Sequence, residues 1–69
     1  MQVANVNRGG VEVSLSPEEL LIINNALNEV VNGFEIPEFA TRIGANSSDV
    51  RRLLAQVNTL LEHPDLSQK

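Results

Sequence analysis

The chain contains no cysteine, tryptophan or tyrosine, and only one histidine and one methionine, in 69 residues. Without cysteine there is no disulfide, no thiolate zinc site and no thiol nucleophile. A domain this short leaves much of its surface exposed, and such domains usually gain stability from a disulfide, a metal or a partner chain. With disulfides excluded, tight helix packing, a dimer interface, or both must supply it. No apolar run approaches the ~20 residues that cross a bilayer. Met1-Gln2-Val3-Ala4-Asn5 has neither the basic start nor the apolar run of a secretory signal. The absence of cysteine fits a reducing compartment, so a cytoplasmic location without membrane contact is expected. Asn46-Ser47-Ser48 matches the glycosylation acceptor pattern, which is coincidental in such a compartment.

Positive charge is also scarce. The net charge is −4, and it is unevenly spread. From Gly10 to Glu38 there are six acids (Glu12, Glu18, Glu19, Glu29, Glu35 and Glu38) and no base. From Phe39 to Leu61, Arg42, Arg51 and Arg52 stand against Asp49 alone. The acidic total argues against non-specific phosphate binding, and only the arginine-bearing third could approach a polyanion.

What is present reads as one domain, residues 1–69, in three parts: a β-hairpin over 1–15, a three-helix region over 16–62 and a frayed tail over 63–69. The fold class is mainly α, or α+β. Val3-Ala4-Asn5-Val6 and Val11-Glu12-Val13-Ser14-Leu15 flank Asn7-Arg8-Gly9-Gly10, and the alternation of Val11, Val13 and Leu15 suits a strand with one buried face. Gly9-Gly10 is expected to supply the positive φ angles of a hairpin turn. Two strands alone are hardly stable in water, so the hairpin must lie on the helices or pair with another chain.

Ser16, Pro17 and Glu19 form a capping-box pattern, which predicts a helix from Pro17 to about Asn32 with Gly33 as its stop. Leu20, Ile22, Ile23, Ala26, Leu27, Val30 and Val31 occupy about half its circumference, a broad core-facing surface. A short second helix is expected from Pro37 to Gly44, with Phe34 and Phe39 anchoring the connection. Asn46 caps a third helix whose stripe is Val50, Leu53, Leu54, Val57, Leu60 and Leu61, ending at His63-Pro64.

No residue pattern points to catalysis, a cofactor or a metal, and the expectation is a protein that is not an enzyme. His63 reads as a helix C-terminal residue interacting with the helix dipole. The glutamates of the first helix read as charge compensation at its start. Gly9-Gly10 lacks the lysine of a phosphate loop. Asn24, Asn25, Asn28 and Asn32 crowd one helix although asparagine is a weak helix former. Most of this arc could be a solvated face. The sharper reading is a protein-binding face of Leu21, Asn25, Asn28 and Asn32, with the leucine as an apolar anchor ringed by amides.

The run from Phe39 to Leu53 resembles the helix-turn-helix signature of bacterial regulators. Ala40 matches the small residue of the first helix, Gly44 the turn glycine, and Phe39, Ile43, Ala45, Val50 and Leu53 the apolar positions. The resemblance implies outward residues Ser47, Ser48, Arg51 and Arg52, which would contact DNA. The same pattern is also a packing rule that many non-binding proteins obey. In addition, the run from Leu20 to Gly33 followed by Phe39-Ala40-Thr41-Arg42-Ile43-Gly44 is similar to a group of small uncharacterised bacterial proteins, which brings no activity to transfer. The leading expectation is a non-enzymatic protein-interaction module, paired with itself or another protein. The alternative is a small helix-turn-helix regulator of transcription.

Overall fold

The structure is a computed structural model that describes residues 1–33, 35–63 and 65. It is an α+β fold, an N-terminal antiparallel hairpin followed by three helices. The expected anchor Phe34, the expected helix stop Pro64 and the tail residues 66–69 lie outside the described residues.

Strands β1 (Gln2–Asn7) and β2 (Gly10–Ser14) pair with Val3 opposite Val13 and Val6 opposite Val11. The register shifts between Val3 and Asn5, so Ala4 is an extra residue in β1. A bulge of this kind resets the alternation of the strand. It is why Val3 and Val6, three apart, both stand opposite valines that are two apart. All four therefore share one face. The turn meets expectation only in part: Gly10 has a positive φ of 157, whereas Gly9 does not have a positive φ. Asn7 tightens the turn instead: its Oδ1 accepts from the Gly9 N–H at 2.7 Å, the local side-chain bond that suits asparagine to turns.

Helix α1 (Pro17–Asn28) starts as its sequence dictates. Ser16 Oγ accepts from the Glu19 N–H at 3.1 Å, and Glu19 Oε1 accepts from the Ser16 N–H at 2.9 Å. Two otherwise orphaned donors are thereby satisfied. Ser16→Ala should lower stability by about 1 kcal/mol, read as a shift of the denaturant midpoint; an unchanged midpoint would mean the cap contributes nothing. Glu19 also meets the N-terminal ammonium of Met1. That ammonium first, and the Ser16 N–H second, hold its carboxyl below the usual value of 4.5. The stabilisation is therefore complete above pH 4.5 and is lost as the pH falls through the lowered value. Glu19→Gln should flatten this acid limb of the stability profile.

The sequence predicts one helix to Asn32. The backbone instead widens into a π-helical turn over Glu29–Gly33 before the chain leaves. Helix α2 is shorter than expected, Phe39–Ile43, preceded by a turn at Pro37 and Glu38. Glu38 adopts φ 53, which a residue with a Cβ resists. Gly44, at φ 89, ends α2, and its N–H donates to the Ala40 carbonyl. Asn46 then caps helix α3 (Ser47–Leu61), its Oδ1 accepting from the Asp49 N–H at 3.0 Å.

Helices α1 and α3 pack together and carry the core. Among the described residues only Leu20, Val31, Val50, Leu54 and Val57 are buried. Phe39 and Ala45 lean on Val31, Val50 and Leu54, which ties α2 to this pair as the sequence suggests. Neither strand makes more than marginal contact with any helix.

Candidate interaction faces

Two hydrogen bonds define one side of the helix pair. Arg51, in the first turns of α3, donates to the Val31 carbonyl at 3.0 Å and to Asn32 Oδ1 at 2.9 Å. Asn32 in turn donates to Asn28 Oδ1 at 2.8 Å. The guanidinium thus satisfies carbonyl groups at the end of the first helical run, where a cation is favoured. The sequence places Arg51 outward. The structure turns it onto α1, where it fastens the two helices together.

On α1 this side carries the arc that the sequence singles out. Leu21, Asn25 and Asn28 are exposed there, with Leu21 half accessible at 50%. Asn32 is exposed too, but both ends of its amide are engaged within the chain. Asn24 borders the core, and its Oδ1 is buried without a hydrogen-bond partner. The asparagine arc is therefore mixed: Asn32 is structural and holds the Asn28 Oδ1, whereas Leu21 and Asn25 are free to meet another molecule.

The opposite side of the pair is apolar. On α3, Leu53 and Leu60 lie about 80° from the buried stripe, and Arg51 lies about 90° the other way, at 100° per residue. On α1, Ile23 and Ala26 are likewise on the far side of the stripe from Asn28, and Ile22 lies farther round, on the back of the helix. All five are exposed, Ile22 at 67%. The sequence expects these residues in the core. The structure uses only half of each apolar arc, because α1 and α3 cover each other and, among the described residues, their common flank stays exposed.

The hairpin repeats the pattern. Val3, Val6, Val11 and Val13 are 63%, 65%, 59% and 40% exposed. This valine face carries no charged side chain. Glu12 pairs with Asn5 on the other face, where the asparagine amide donates to its carboxylate at 3.5 Å.

The remaining site residues are tied up locally. Ser48 Oγ donates to Asn46 Oδ1 at 2.6 Å, and Arg52 pairs with Asp49 at 3.3 Å, both partners exposed. Ser47 is exposed at the helix start. Ala40, the small residue of the helix-turn-helix resemblance, is exposed. His63 Nδ1 accepts from the Asp65 N–H at 3.2 Å. An open groove of about 320 Å³ lies between Glu35, Ile36, Pro37, Arg42 and Ile43. Among the described residues, no three His, Asp or Glu side chains gather as a metal site would require, and no helix is long and apolar enough to cross a membrane.

Comparison with protein-family models, with curated proteins and with solved structures finds no match for this chain.

Proposed function

We propose that the chain is a non-enzymatic protein-interaction module that works as a homodimer. The observation that carries this reading is uncovered surface, with Val3, Val6, Val11, Ile22, Leu53 and Leu60 each roughly half exposed or more. A compact monomer of 7.5 kDa exposes about 4,200 Å², yet this chain exposes 5608 Å². Its radius of gyration, 13.8 Å, also exceeds the ~11 Å of a compact chain this long. The surplus is on the order of 1,000 Å², enough for one partner's share of a stable interface. Among the described residues, five buried side chains make a thin core for a domain without disulfides. A second copy is present wherever the first is, so it can complete the fold from synthesis onward.

The left-handed Gly44 supports a second reading, a helix-turn-helix that contacts DNA. Weighing against it, Arg51 is bonded to α1, Arg52 is paired with Asp49 and the total charge is acidic. One experiment separates the two. Sedimentation at micromolar concentration should show a dimer at both about 0.05 M and 0.5 M salt, because apolar contacts are little screened. Binding to duplex DNA that disappears across the same range, by a chain that stays monomeric, would favour the regulator.

A further inference from the structure

We propose that the second copy pairs by reciprocal exchange, the valine face of each hairpin seated on the apolar flank of α1 and α3 of the other copy. The inference rests on the homodimer reading and adds to it where the copies touch. A stable domain needs two packed layers around a core. This chain supplies both layers, a sheet with one apolar face and a helix pair with one apolar flank, but does not bring them together. A two-stranded hairpin whose valines face water is marginal by itself. A two-fold axis solves both problems at once, since each copy offers the surface that the other lacks.

The charge distribution selects these surfaces. Each copy carries −4, so two copies repel unless they meet through neutral ground. The valine face is uncharged, and on the flank Ile23, Ala26, Leu53 and Leu60 share their side with two acids whose charges are already met within the chain, Glu19 by the Met1 ammonium and Asp49 by Arg52. The other side of the helix pair offers amides and the occupied Arg51, with Leu21 as its large exposed apolar residue among the described residues.

Because the natural chain has no cysteine, single thiols report contacts cleanly. Chains with Val11→Cys are mixed with chains carrying Leu53→Cys, and disulfide formation is followed under mild oxidant at constant helical circular dichroism. Mixed disulfides should form about tenfold faster than Val11→Cys chains join to each other, because exchange holds the unlike pair together. In parallel, Val6→Glu with Val11→Glu should dissociate the dimer, and Leu21→Glu should leave it intact. Faster joining of like chains, or a disulfide within one chain carrying both cysteines, overturns the exchange while leaving the homodimer reading in place. So does loss of the dimer on Leu21→Glu with retention in the valine variant. A natural chain that sediments as a monomer at millimolar concentration overturns both.

Discussion

Leu54→Ala should destabilise the folded chain by about 3 kcal/mol, the middle of the range for truncating a buried leucine. Leu54 is 8% exposed and belongs to the cluster with Val31 and Val50. The loss has two parts. The removed methyl groups no longer leave water on folding, and the space they occupied is only partly refilled. With five buried side chains among the described residues, there is little neighbouring mass to collapse inward. Since small domains hold only about 5 kcal/mol or so, the variant should be largely unfolded at modest urea. Leu21→Ala provides the contrast. It removes the same atoms from a half-exposed position on the amide side, and should change stability by less than about 1 kcal/mol. Urea titration of both variants checks the pair. Equal losses would mean that the core does not lie between α1 and α3.

Gly44→Val should cost about 2 kcal/mol, for a different reason. The glycine stands at φ 89, and a β-branched side chain strongly resists that region. A Cβ built at this position meets nothing within 4 Å, so the loss is backbone strain and not a collision. That distinction yields a graded series. Asparagine tolerates the left-handed region better than valine and should lose less. A D-alanine introduced by chemical synthesis prefers positive φ and should lose nothing. A D-alanine variant as unstable as the valine variant would show that crowding, and not conformation, governs the position.

Local chemistry made much of this fold legible. Ser16 with Glu19, Asn46 with Asp49, and Gly44 each act on a backbone group within a few residues, so their signals are written in adjacent positions. The hairpin and three helices follow from the same short-range signals. The site was read less well, because its determinants are not local. One extra residue at Ala4 puts Val3 and Val6 on a single face, and no residue type announces such a bulge. The widened turn over Glu29–Gly33 likewise has no marker in the sequence. Arg51 looks outward on a helical wheel, yet it can serve α1 because its long side chain reaches a neighbouring helix end. The largest departure concerns the apolar arcs. Periodicity tells that Ile22, Ile23, Leu53 and Leu60 seek cover, but it does not tell whether the cover comes from the same chain. The hairpin, expected to lie on the helices or to pair with another chain, barely touches its own helices.

The claim that this fold is completed by a second copy is tested most directly by the thermal midpoint as a function of protein concentration. Where folding and pairing are coupled, each tenfold increase in concentration shifts the unfolding balance by about 1.4 kcal/mol in favour of the dimer. The midpoint should therefore rise by several degrees between micromolar and millimolar chain. A midpoint that stays constant across that range would contradict the account, since a fold complete in one copy has no reason to depend on the next.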